Sequence, residues 1–383
     1  MKPQIKLVNT IEGFKALEHD WNKLYEKSVR TTIFSSWDWM FTWWEVFHDE
    51  LSRKLYILCL YDGDELLGIA PFHIYKHYPK SLVQGKTLQF IASGNKQEEN
   101  VTSEYLDFIV LPEKESEMVA AVSEYLLQHK RQWDFADFEY LLEGALILDC
   151  FKTKTKIARI IKQRGVRFFI TPKESFEEYQ SLMKSRWSKM FNKKNRMIER
   201  DGEVSIVTAD TEVSLAPALE LLSDMHCSRI KDKVGYCAFD SEKFTLFHQK
   251  ILKRLSPQNK ALIKTLYIEE EPLAIYYVFV DKGQWHYYQS GFHSEHANRY
   301  SPLFLLVCRE IDETFKLNKV FDFMHEPSEN SYKKEQYAAE SAPMVQLYWS
   351  TMPIRFSIFN TAKLIQKELL SLKAKIKSKR EKS

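Results

Sequence analysis

Apolar residues recur along this chain at two spacings, and the switches between them mark its elements. Phe14, Leu17, Trp21 and Leu24 stand three or four apart, which predicts a helix after a short strand within residues 4–28. Trp37, Phe41, Trp44 and Phe47 or His48 predict a second, aromatic helix. Two β-rich runs, Leu55–Tyr61 and Leu66–Tyr75, flank Asp62-Gly63-Asp64-Glu65, which is a hairpin signal. Further strands are predicted at 86–92, 104–110 and 134–139, helices at 114–130 and 145–164, and a strand over Val166–Thr171. The second half predicts helices at 175–183 and 186–200, a strand at 203–208, and helices at 215–230 and 240–254. Strands at 261–269, 273–281 and 284–291 follow, then a helix at 301–317. A strand at 319–323, a short helix near 331–337 and a strand at 344–350 close this half. From about 355 a last helix is predicted, with Ile365, Leu369, Leu372 and Ile376 on one face.

At 383 residues the chain predicts two domains or one unusually large one. It is 44% hydrophobic with only 11 Gly and 12 Pro, which excludes disordered and collagen-like classes and allows a sizeable core. The net charge of +3 gives no case for a nucleic-acid coat, but it is unevenly spread. From Lys363 onward eight Lys or Arg face two Glu, a net of +6, so the remainder is −3. Such a basic amphipathic tail suits an anionic membrane surface, and equally a helix docked on the body. The longest apolar run, Leu273–Val280, is far short of the ~20 residues a spanning helix needs. No signal-peptide core is seen, and five Cys without a CxxC read as mostly reduced core residues. These features predict a cytoplasmic protein, with peripheral contact at the inner face of the membrane through the tail as an option.

At an offset of 206 residues, Leu60-Tyr61, Asp64-Glu65 and Leu67-Gly68-Ile69 fall on Leu266-Tyr267, Glu270-Glu271 and Leu273-Ala274-Ile275. Phe135-Ala136-Asp137-Phe138 also matches Val320-Phe321-Asp322-Phe323 in kind, so a duplication is expected. The chemistry concentrates in 261–350. Trp285 to Gly291 is a strand ending in a polar loop, and Arg299-Tyr300-Ser301-Pro302-Leu303 then opens a helix. Ser301 suits the N-cap and Pro302 the first turn. Free amides there, with Arg299, can hold a phosphate.

The order of elements and the short motifs together resemble the GNAT acyltransferases, and within them the CelD-like, or BioF2-like, group of bacterial envelope polysaccharide synthesis. The chain is similar, more distantly, to the Fem aminoacyl transferases. The residues that carry the resemblance are Trp187 to Gly202, Glu271-Pro272-Leu273-Ala274, Tyr288 to Gly291, Ser301-Pro302, Leu305-Leu306, Phe321-Asp322-Phe323 and Tyr332-Lys333. Trp37, Tyr61-Asp62-Gly63, Leu67-Gly68 and Ala70-Pro71 extend it into the front half, over about residues 30 to 350. It implies an α+β fold of two tandem lobes, each a mixed, mostly antiparallel sheet flanked by helices. The lobes are expected at 1–165 and 166–352, with a tail at 353–383. The sequence departs from the usual GNAT donor loop, because Pro302 and Phe304 stand where glycine or alanine is customary.

The resemblance implies acyl transfer to an amine or hydroxyl, with acyl-CoA (acetyl-CoA) as donor and no metal. Arg299, Ser301, Leu303, Ser290 and Gly291 are expected at the donor. Asp322, Tyr332, Lys333 and His293 are the catalytic candidates, with Tyr332 as general acid, Lys333 offsetting negative charge and His293 in a cluster able to supply a base. Residues 184–200 carry seven basic residues against Glu199, with Trp187 among them. Lys193, Arg196 and Trp187 are therefore candidates for a phosphorylated acceptor such as a nucleotide- or lipid-linked sugar, or for a tRNA arm. Two alternatives stand beside the envelope acyltransferase: an aminoacyl-tRNA-dependent amide ligase, and a non-catalytic scaffold.

Overall fold

The computed structural model describes residues 3–49, 52–76, 85–94, 101–152, 157–329 and 331–352, so the helix expected beyond 355 lies outside the described residues. The first half comprises β1 Gln4–Val8, α1 Ile11–Ala16, α2 Glu18–Lys27, α3 Trp37–Phe47, β2 Lys54–Asp62, β3 Glu65–Lys76, β4 Lys86–Phe90, β5 Ile109–Val110, α4 Glu115–Gln128, β6 Phe135–Leu142 and β7 Ala158–Ile170. The second half opens with α5 Phe176–Leu182, α6 Ser185–Asp201, β8 Val204–Ala209, α7 Glu212–Val234 and α8 Glu242–Leu255. It continues with β9 Ala261–Ile268, β10 Glu271–Asp281, β11 Gln284–Phe292, α9 Ser294–Tyr300, α10 Pro302–Lys316, β12 Val320–Glu326, α11 Tyr332–Gln336 and β13 Glu340–Ser350.

All these strands join one mixed sheet in the order β1-β2-β3-β4-β6-β13-β7-β12-β11-β10-β9-β8, with β5 on β3. The order is symmetric about the β13–β7 pair: β2–β3 corresponds to β9–β10, β4 to β11 and β6 to β12. That is the expected duplication. Each half also has one parallel pair, β4 with β6 and β11 with β12. The final strands are exchanged, since β7 lies against β12 of the second half and β13 against β6 of the first. The boundary expected after residue 165 falls inside β7.

Two expectations are corrected. The described residues of the helix expected at 145–164 form instead a short turn of 3-10 helix at Leu146–Asp149 and, from Ala158, the strand β7. Asp107 holds that turn by accepting from the Leu146 and Ile147 amides at 2.6 and 3.1 Å, and β7 is stabilised by pairing on both sides, which local periodicity does not reveal. The strand expected at 104–110 shrinks to Ile109–Val110, and residues 101–108 instead run under the second lobe.

Two layers of helix cover the second-lobe sheet. Alternate residues of β10 face opposite ways. Ile275, Tyr277 and Phe279 share a core with α7, α8 and α3, while Ala274, Tyr276 and Val278 share another with α10 and Ile198 of α6. This explains why α3 is apolar all round: Trp39 packs edge-on against Phe247 of α8 and Phe279 of β10, at 5.0 Å each. The β10–β11 turn is a tight hairpin with Lys282 and Gly283 at φ 46° and 73°, the geometry that primed turns require.

Cys227 and Cys237 form a disulfide. This corrects the reading of the cysteines as mostly reduced for that pair; Cys59, Cys150 and Cys308 are free and buried. The fold brings the pair together because α7 ends at Gly235 in a left-handed cap and the chain turns back. Among the described residues no helix is long and apolar enough to cross a membrane.

Candidate active site

Parallel pairing of β11 with β12 covers only Gln284–His286 against Val320–Asp322. Beyond it the strands diverge, and α10 begins at the opening. A bulge in β11 accompanies the divergence: its register on β10 shifts between Gln289–Tyr277 and Tyr287–Val278, leaving Tyr288 as the extra residue. The splay opens a cleft of about 280 Å³ lined by Arg229, Tyr287, Phe292, Phe304, Phe323 and Tyr332, with Ser301 and Leu303 at the helix start. Pro302 suits that start, and Leu305 is the first residue to donate back, to the Ser301 carbonyl at 3.2 Å. The Leu303 and Phe304 amides are thereby left without intrahelical acceptors.

The expected polar loop before α10 is the helix α9, and Ser301 joins the two helices in a left-handed conformation, φ 51°. Its side chain does not cap α10; its hydroxyl donates to the Ala297 carbonyl at 3.3 Å. Tyr332 lines the cleft from α11 and is 59% exposed. Crowding at its hydroxyl and the nearby Glu326 raise its pKa, with Arg229 opposing, so it is protonated at neutral pH and can donate. Trp187 backs the cleft, its ring 5.8 Å from Phe304.

Other expected residues lie elsewhere. Arg299 points out to the surface, where Nε and Nη2 donate to Asp201 at 3.1 and 2.6 Å. The expectation that it lines the donor site is thus corrected: the carboxylate at the end of α6 takes its charge. Gly291 and Ser290 shape the site from beneath. A Cβ on Gly291 would stand 2.6 Å from Met225 Cβ and 2.8 Å from the His226 amide, so glycine lets α7 press against the end of β11. The Ser290 carbonyl lies 2.8 Å from His226 Nδ1, and its hydroxyl accepts from Tyr287 at 2.6 Å. His293 is half-buried at the start of α9 and does not line the cleft. Lys193 and Arg196 lie exposed on α6.

Of the catalytic candidates Asp322, Tyr332 and Lys333, only Tyr332 lines the cleft. Asp322 faces away from Phe321 and Phe323, as alternation requires, and that side is covered by the first lobe. Fully buried, it accepts from Tyr105 Oη at 3.2 Å, Arg167 Nε at 3.1 Å and the Met324 amide at 2.8 Å, with His286 Nδ1 3.1 Å away. Burial pushes its carboxyl up, but Arg167 and His286 hold it down at about 2. Beside it Glu104 accepts from the His325 amide at 2.8 Å, beyond the last β11–β12 pair. Burial, then repulsion from Asp322, raises the Glu104 carboxyl to about 8. Lys333 is buried beneath α11, where Nζ donates to the Phe323 carbonyl at 3.1 Å and pairs with Glu326 at 2.5 Å.

Sequence reading missed Glu104, Tyr105, Arg167, His286 and Arg229. Glu104, Tyr105, Arg167 and Arg229 come to the splay from elements distant in sequence, and His286, although on β11, faces the buried side of the sheet and no local motif marks it.

A family model described as an acetyltransferase (GNAT) domain matches residues 185–334. No curated protein matches the chain. Among solved structures, FemX is similar at 9% identity over 89% of this chain and 98% of its own, with a TM-score of 0.59. L-PGS from Bacillus licheniformis is similar at 13% identity over 92% of this chain and 96% of its own, TM-score 0.52. The C-terminal domain of a putative lysylphosphatidylglycerol synthetase from Agrobacterium fabrum is similar at 10% identity over 88% and 92%, TM-score 0.50. Residues 185–334 thus match a GNAT domain model, and the two-lobe sheet around them has a fold similar to that of FemX.

Proposed function

We propose that this protein transfers an acyl group from a carrier at the start of α10 to an amine or hydroxyl of a cell-envelope sugar, polysaccharide or precursor. The observation that carries the reading is the cleft where β11 and β12 part, apolar-walled, with the Tyr332 hydroxyl and the first α10 amides around it. The acceptor's nitrogen or oxygen attacks the acyl carbonyl, the bond to the carrier breaks, and Tyr332 gives its proton to the departing sulfur or oxygen. Lys333, its charge taken by Glu326, holds α11 and hence Tyr332 on the end of β12. The acceptor's proton leaves with water or a neighbouring base.

Acyl-CoA is the donor we favour, with only its acyl end in the cleft. At about 280 Å³ the cleft is at the small end of ligand pockets and does not take a nucleotide as well. An aminoacyl-tRNA donor is the second reading, supported by seven basic residues against one acid over 184–200, beside the cleft, and by Pro302 and Phe304 in the donor loop. On either reading the protein works in the cytoplasm, at the inner face of the membrane if the basic tail engages it.

Titration with acetyl-CoA and, separately, with an aminoacyl-tRNA analogue decides between the donors; at 100 times its Kd the true donor adds about 2.7 kcal/mol of stability. Tyr332→Phe should lower kcat with little change in KM, because the hydroxyl acts in the transition state. A fully active Tyr332→Phe enzyme removes the acid role, and stabilisation by neither donor removes the acyltransferase reading.

A further inference from the structure

The acyl-transfer scheme leaves one group of the cleft without a task. Arg229 lies in the last turns of α7, half-buried, and lines the cleft. Its Cζ stands 5.1 Å from the centre of the Phe292 ring. Its Nε is shut off from solvent and makes no hydrogen bond. Among the described residues no carboxylate pairs with it, whereas Arg299 is engaged by Asp201 and Arg167 by Asp322. A guanidinium partly withdrawn from water, against apolar walls and with no carboxylate partner among the described residues, carries a desolvation cost that an incoming anion offsets. Arg229 is also held in place. His226 and Met225, one helical turn earlier, are pressed onto Ser290 and Gly291, and the Cys227–Cys237 disulfide closes the chain behind it.

The side from which Arg229 arrives indicates what it meets. α10, whose first amides receive the carrier in our reading, packs on the Tyr276 and Val278 face of the sheet. α7 packs on the opposite face, with Ile275, Tyr277 and Phe279. A reactant entering past α7 therefore reaches the splay from the side away from the carrier. Guanidinium matches the planar or tetrahedral oxygens of carboxylate and phosphate through paired N–H donors.

We propose that Arg229 recognises an oxyanion on the acceptor, so that the acceptor is an acidic sugar, bearing a phosphate or a carboxylate near the group that is acylated. That the ligand is a sugar and the acceptor rests on the proposed function; the binding of an oxyanion at Arg229 does not. Neighbouring charge fits this assignment: Arg229 opposes the burial that raises the Tyr287 and Tyr332 hydroxyls, so both lie within reach of its field.

Calorimetric titration of the full chain with glucose 1-phosphate, glucuronate and glucose tests it directly. The charged sugars should bind at least tenfold more tightly than glucose, and whichever is tighter identifies the oxyanion as phosphate or carboxylate. Raising salt should weaken the charged sugars and leave glucose unchanged. Arg229→Gln should abolish the difference, and Arg229→Lys should retain part of it with the fold intact by near-UV circular dichroism. Equal binding of glucose and the charged sugars, no binding of either charged sugar, or full binding by Arg229→Gln would each overturn the proposal. Donor titration is a separate measurement. Loss of donor binding alone would strike the acyltransferase reading, and loss of anionic-sugar binding alone would strike only this one.

Discussion

Glu104 and Asp322 are two carboxyl groups in one buried network with opposite ionisation, and each supports a measurement. Glu104 is raised from an ordinary 4.5 to about 8 by burial and by Asp322. The unfolded chain releases this proton near 4.5 and the folded chain keeps it to about 8, so Glu104 costs stability progressively as pH rises between those values. Glu104→Gln keeps an acceptor for the His325 amide and removes the charge. Its melting temperature should exceed the parent's by several degrees at pH 8 and match it near pH 4; equal curves at both would refute the buried protonated state. Asp322 behaves the other way, since its carboxyl is held at about 2 and its contribution is present above the ordinary 3.8 and lost below. Asp322→Ala removes the carboxylate partner of the partly buried Arg167, which keeps its bond to Gln284, and leaves Tyr105, His286 and the Met324 amide without their acceptor; it should cost about 3 kcal/mol by urea denaturation. A loss of activity at full stability would instead restore the catalytic role that its place in the sequence suggested. Tyr332, Ser301 and Leu303 were legible as cleft residues because they follow strand ends in order. Arg299 was misread because Asp201, which captures it, lies 98 positions away.

At the scale of elements, the junction of α7 with β11 controls the site. Gly291 is needed there for space: its Cβ would meet backbone and Cβ atoms of α7 at 2.6–2.8 Å, and neither can move as a flexible tip would. Gly291→Ala should therefore displace α7, at a cost of about 1–3 kcal/mol typical of overpacking. It should also weaken anionic-sugar binding by shifting Arg229. An unchanged melting temperature with unchanged ligand binding would show that the helix yields freely. The sequence marked Gly291 as part of a strand-ending motif. It did not mark the helix that the glycine admits, since the contact joins residues 65 and 66 positions apart.

At the scale of the whole molecule, the exchange of β7 and β13 makes the two lobes one sheet, and α3 with α8 gives them one core. A single calorimetric transition is expected, because the sheet of each half is completed by the last strand of the other. Residues 1–165 and 166–352 produced apart should each fail to fold alone, and two independent transitions in the intact chain would contradict the exchange. Most of the strands and helices, the hairpin at Gly63, the internal repeat and the α10 start beside the cleft were determined by the sequence itself. Those features depend on periodicity and turn chemistry within a few residues. Which lobe β7 joins, which face Asp322 addresses, that Cys227 meets Cys237 and that Arg229 enters the cleft were decided only by tertiary structure. Each depends on contact between segments that local propensity treats as independent, and the exchanged strands set those contacts when the sheet closes.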